Sequence, residues 1–293
     1  VVLPFHPNGM LFEGLKGDEV VDSWTIYSVG GGALANEASR LETPRSIYPL
    51  STISEIKEWC YHEGKTFWEY VSDCEGPEIW DYLDTVWETM CATIQRGLNN
   101  DGVLPGGLKV ARKASTYWVK SKSYTDSLSS RAKIYAYALA TSEENASGGT
   151  VVTAPTCGSS GVMPAVLYHL STSRNFLRIR ILRALATAGL FGNVAKTNSS
   201  ISGAEVGCQG EVGVACAMAA AAACQLFGGT PSQIEYAAEM GLEHHLGLTC
   251  DPVCGLVQVP CIERNAIAAA RAFDANAYAT LSDGSHMVSF DKV

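Results

Sequence analysis

Apolar positions recur at three- and four-residue spacing from about residue 51 onward, the repeat of an amphipathic helix. The clearest stripe is Ile79, Leu83, Val86, Met90, Ile94 and Leu98, which predicts a helix over 79–98. Gly97 and the Asn99-Asn100-Asp101-Gly102 cluster end it. Further helices are expected over 131–142, 163–172, 177–195, 212–227, 231–246 and 262–281. Most are Ala-rich, which lets helices pack closely. No repeat of fixed period runs through the chain.

The first 45 residues follow a different pattern. Glu19 to Val29 is rich in β-branched and aromatic residues and stops at Gly30-Gly31-Gly32. With a turn near Gly17-Asp18, this predicts one hairpin. So little sheet is not stable alone. The expected fold class is therefore mainly α. A helical domain over 46–293 carries the site, and a small β-rich tail over 1–45 is left from an upstream α/β domain.

Composition narrows the function classes. The 293 residues are 47% hydrophobic and 17% charged, so a sizeable core is expected rather than disorder. A net charge of −9 argues against nucleic acid or an anionic membrane as partner. No signal-peptide pattern is visible. The longest apolar run, Val212–Leu226, is too short and too Ala-rich for a membrane span. Ten cysteines in a long, Ala-rich chain fit a reducing cytoplasm better than a disulfide scaffold.

Four Gly-rich polar stretches separate the helices: 104–109, 153–161, 198–210 and 247–255. Small polar loops feeding helix starts present free backbone N–H groups and suit anion binding. They could converge on one site, or serve as ordinary connections.

Cys208, Cys250 and Cys261 sit in those loops or at helix starts, with Cys254 close to Cys250. Cys216 and Cys224 fall inside an Ala-rich helix, where free cysteine packs as a small hydrophobe; Cys60, Cys74 and Cys91 read the same way. A thiolate at a helix start is a good soft-metal ligand. No Cys-x-x-Cys pair of the structural-zinc kind is present. Three thiolates on a four-iron cluster would leave one iron open as a Lewis acid.

Residues 200–213, Ser-Ile-Ser-Gly-Ala-Glu-Val-Gly-Cys-Gln-Gly-Glu-Val-Gly, resemble a signature of the bacterial iron–sulfur-dependent L-serine dehydratases. So do residues 247–253, Gly-Leu-Thr-Cys-Asp-Pro-Val, and 257–266, Val-Gln-Val-Pro-Cys-Ile-Glu-Arg-Asn-Ala. Thr153-Ala154-Pro155-Thr156 and Leu104-Pro105-Gly106 match as well, and the likeness runs from about Pro4 to the C-terminus. The resemblance implies a [4Fe-4S] cluster held by Cys208, Cys250 and Cys261. It implies a lyase that takes L-serine to pyruvate and ammonia, with the fourth iron binding the substrate carboxylate and hydroxyl and no pyridoxal phosphate. Thr153, Thr156, Ser202 and Gly203 are the expected substrate contacts from the motif loops, and the base is unassigned. The expected partners are L-serine and a second copy in a homodimer.

His244 and His245 have two readings: substrate or cluster support, or histidines complementing a helix C-terminus. His6, His62, His169 and His286 are expected at the surface. Cys157 and Cys254 depart from the family pattern and leave the ligand set open to that extent. The family's upstream Ser-Ser-Ser-His-Thr motif is absent, so both ends are expected to be cut and this chain alone is not expected to turn over serine. Two alternatives stand beside the dehydratase: a related lyase or desulfidase on another small amino acid, and a non-catalytic metal or redox-sensing module.

Overall fold

The structure is a computed structural model; it describes Phe5, residues 9–28, 34–37 and 47–293. The expectations on Gly30-Gly31-Gly32 and His6 lie outside the described residues.

Strands β1 (Gly9–Lys16) and β2 (Glu19–Ser28) form the expected antiparallel hairpin about the Gly17-Asp18 turn. A two-residue strand β3 (Leu34–Ala35) adds to its edge. The hairpin gives no residue to the hydrophobic core, which runs from Ile53 to Phe290.

That core is helical. The helices are α1 (Ile53–Glu63), α2 (Phe67–Glu75), α3 (Ile79–Leu98), α4 (Ala114–Ser121), α5 (Asp126–Ala146), α6 (Val162–Arg174), α7 (Arg178–Asn198), α8 (Gly203–Val206), α9 (Val214–Leu226), α10 (Pro231–Glu243) and α11 (Cys261–Leu281). The 79–98 expectation matches α3. The sequence pattern gave no separate boundaries for α1, α2 and α4.

Helix α9 lies at the centre, packed against α6, α7, α10 and α11. All its residues except Gln225 are buried, so it has no polar face to present to water. Alanine makes this possible by keeping the neighbouring axes close. On α10, a β-carbon at Gly241 would lie 3.0 Å from the Ala217 backbone of α9. Cys216 and Cys224 are wholly buried on this helix, in the packing role expected of them.

Two histidines expected at the surface are buried. His169 on α6 is 7% exposed and its Nε2 meets the Ser130 hydroxyl at 2.8 Å. It faces Tyr137 and Phe273, so its ring packs as an aromatic wall rather than as a solvated base. His286 stacks flat on Tyr236 with its Nδ1 at the Gly284 carbonyl, 2.9 Å away, and its side chain is 7% exposed. His62 is exposed, as expected.

The C-terminal segment closes the fold. Asp291 accepts from the backbone N–H groups of Ile53 and Ser54 and so caps α1. No helix among the described residues is long and apolar enough to cross a membrane.

Candidate metal centre

Three chain segments carry the three expected thiols, and two of the thiols, Cys208 and Cys250, come together. Cys208 follows α8 and precedes a single π-helical turn, Gln209–Gly213, that runs into α9. Cys250 lies in the loop after α10, and Cys261 is the first residue of α11.

The loops are locked by backbone geometry. Gly207 has φ 76° and ψ −177°, a conformation open essentially to glycine alone. A β-carbon there would also lie 2.6 Å from the Leu248 carbonyl oxygen. The Gln209 N–H donates to that same carbonyl, and the Gly247 N–H donates to the Gln209 side chain at 2.9 Å. These contacts join the Cys208 and Cys250 segments. Arg264 on α11 donates to the Thr249 carbonyl at 2.7 Å and joins the Cys261 segment to them.

The sulfurs of Cys208 and Cys250 and a carboxylate oxygen of Glu211 all lie within 4.8 Å of one another. Burial, then the neighbouring Cys208, push the Cys250 thiol up. The same two causes push the Cys261 thiol up to about 11, so Cys261 is within electrostatic reach of this group. Buried thiols that resist ionisation beside one another are what a soft cation would relieve, because it favours the thiolate form. The Cys208 and Cys250 thiols with the Glu211 carboxylate are therefore a donor set that could hold a metal ion.

Glu211 was not singled out in the sequence. Its Oε1 accepts from the Thr156 hydroxyl at 3.0 Å, and it accepts the Gly203 backbone N–H. Burial, opposed by these two donors, raises its carboxyl above the usual carboxylate range. Its charge is felt by Cys157, Cys250 and Cys261. The available signal was its position three residues after Cys208, which puts the two within one helical turn.

Of the expected substrate contacts, Thr156 and Gly203 meet at Glu211. A β-carbon at Gly203 would lie 2.4 Å from the Glu211 carboxylate and 3.0 Å from the Cys250 sulfur, so a larger residue would have to push both side chains away. Ser202, buried, precedes Gly203 as the residue that starts α8. Thr153 is exposed and lines a separate cavity of about 290 Å³ with Pro155, Lys196 and Ile201. His244 and His245 lie just past the end of α10, with their Nδ1 atoms 2.9 Å and 2.7 Å from the Met240 and Gly241 carbonyls. His245 is buried against Gly213, and burial lowers its proton affinity; His244 is exposed and lines a different cavity. Cys157 and Cys254 are both exposed.

A family model described as the serine dehydratase alpha chain matches residues 31–293. The L-serine dehydratase 1 of Escherichia coli is 46% identical over 308 residues, covering 99% of this chain and 67% of its own length. The L-serine dehydratase of Streptomyces coelicolor is 45% identical over 306 residues with the same coverage. That of Haemophilus influenzae is 42% identical over 306 residues, again covering 99% of this chain and 67% of the relative.

Proposed function

The chain belongs to the serine dehydratase alpha-chain family, and from that membership we propose that it forms the cluster-binding catalytic part of an L-serine dehydratase. The reaction removes water from L-serine. The α-C–H and β-C–O bonds break, and the resulting enamine tautomerises and hydrolyses to pyruvate and ammonia.

The observation that carries the reading is the meeting of the Cys208 and Cys250 sulfurs with the Glu211 carboxylate within 4.8 Å, with Cys261 at the start of α11 beside them in electrostatic reach. In this reading these cysteines hold a [4Fe-4S] cluster, and pyridoxal phosphate is not required. When bound, the cluster supplies a Lewis acid for the departing hydroxyl, a poor leaving group otherwise. The chain's own residues shape the surroundings. Gly203 and Gly158 leave room beside the Glu211 carboxylate. Thr156 fixes that carboxylate in orientation. Asn265 holds the 153–161 loop against the start of α11, so the loop and Cys261 keep a fixed spacing. The helical body over 46–293 acts as the catalytic domain and the hairpin belongs to a neighbouring unit, in keeping with its absence from the core. A homodimer in a reducing cytoplasm completes the reading; the ten free thiols fit that compartment.

The test is anaerobic reconstitution with iron and sulfide, followed by titration of L-serine against the visible spectrum. A brown, iron-loaded protein whose spectrum responds to L-serine supports the reading. A colourless, zinc-loaded protein inert toward serine favours the redox- or metal-sensing alternative.

A further inference from the structure

Glu211 poses a charge problem. It is a half-buried carboxylate within 4.8 Å of two thiols, and among the described residues no cationic side chain pairs with it. The one guanidinium tied to these loops, Arg264, is engaged at the Thr249 carbonyl. Thiolate ligation would add further negative charge around it. A carboxylate held in such surroundings calls for a positive partner, since an uncompensated buried charge is costly.

The neighbours do not supply one. Thr156 and the Gly203 N–H are neutral donors, and between them they occupy two acceptor positions of the carboxylate. A carboxylate has about four acceptor positions, so roughly two stay open. Two glycines flank it. β-carbons at Gly158 would lie 3.5 and 3.6 Å from its oxygens, and one at Gly203 would strike it. The carboxylate is therefore held by two neutral donors, with open acceptor positions and no bulky side chain at Gly158 or Gly203 beside it.

We propose that Glu211 is the residue that receives the α-ammonium group of the substrate, and so selects amino acids over hydroxy acids at this site. The inference rests on the serine dehydratase reading. L-Serine carries three polar groups. Its carboxylate and hydroxyl suit a Lewis-acidic metal, and its ammonium needs an anion nearby. Glu211 is the anion that the fold has placed within 4.8 Å of the Cys208 and Cys250 sulfurs, with Thr156 as the positioning residue that holds it.

The experiment compares wild type, Glu211→Gln and Glu211→Asp as cluster-loaded proteins. Iron content is measured first. L-Serine and glycerate, which carries a hydroxyl in place of the ammonium, are then titrated anaerobically against the visible spectrum of the cluster. Glu211→Gln is expected to keep its iron and resting spectrum. Its L-serine binding should weaken roughly 10- to 100-fold, the value of a charge-assisted hydrogen bond, while glycerate binding holds or improves. Glu211→Asp should fall between. Equal weakening for both ligands would make Glu211 a packing element and overturn the proposal. Loss of iron would make it a metal ligand, and unchanged serine binding would remove it from the site; either overturns the proposal too. A wild-type cluster that ignores L-serine would fail earlier, at the dehydratase reading itself.

Discussion

Asn265 donates its side-chain amide to the Gly158 carbonyl at 2.8 Å. The same side chain accepts the Gly161 N–H at 2.9 Å and donates to the Cys261 carbonyl at 2.8 Å. One fully buried amide thus pins the 153–161 loop to the first turn of α11. Asn265→Ala strands the Gly161 donor and the Gly158 acceptor. Each buried orphan costs roughly 1–3 kcal/mol, so the variant should lose about 2–6 kcal/mol. A urea midpoint within error of wild type would contradict this bracing role.

Gly207 makes a second, sharper prediction. Its φ of 76° and ψ of −177° exclude other residues, and the Leu248 carbonyl blocks a β-carbon. Gly207→Ala should cost about 1–3 kcal/mol of stability. It should cost more in iron retention, because the substitution separates the Cys208 and Cys250 segments. Iron per folded chain after anaerobic reconstitution checks it; full loading would show that the two segments tolerate the shift.

The cysteines divide by role. Cys208→Ser, Cys250→Ser and Cys261→Ser should each abolish cluster loading. Cys216→Ser should load normally, because its new hydroxyl inherits the Ala268 carbonyl that the thiol now meets at 3.4 Å. Cys224→Ser likewise keeps Thr280 as a neighbour. Iron loss in Cys216→Ser equal to that in Cys208→Ser would refute the assignment.

His169 sets a pH dependence. Burial, reinforced by Lys133 and Arg174, lowers its pKa to about 4 from an ordinary 6.5. The unfolded chain therefore binds this proton more readily than the folded one as pH falls below 6.5. Stability is fully present above pH 6.5 and declines from there toward pH 4, by on the order of 3 kcal/mol. His169→Phe should flatten that part of the wild-type slope. Identical pH profiles for the two proteins would contradict the burial.

Much of this was legible in the sequence, for reasons that differ by element. Helix α3 is one-sided, so its stripe gave both of its ends. The hairpin announced itself through β-branched residues about Gly17-Asp18. Helix α1 was readable in principle, since Thr52 and Glu55 form a capping box, but its stripe is short. His169 and His286 misled because a lone histidine carries no mark of burial; aromatic neighbours far along the chain decide it. Cys208, Cys250 and Cys261 stood out by their motifs, whereas the place of Glu211 depends on Thr156 and Gly203 coming from other loops.

The central claim is that Cys208, Cys250 and Cys261 together hold a four-iron cluster. The most direct measurement is iron and acid-labile sulfide per chain after anaerobic reconstitution, in wild type and in the three single Cys→Ser variants. The account predicts about four of each in wild type, with a broad brown absorbance, and near-total loss in every variant. A wild-type chain that stays colourless, or a variant at any of the three positions that keeps the full complement, would contradict it.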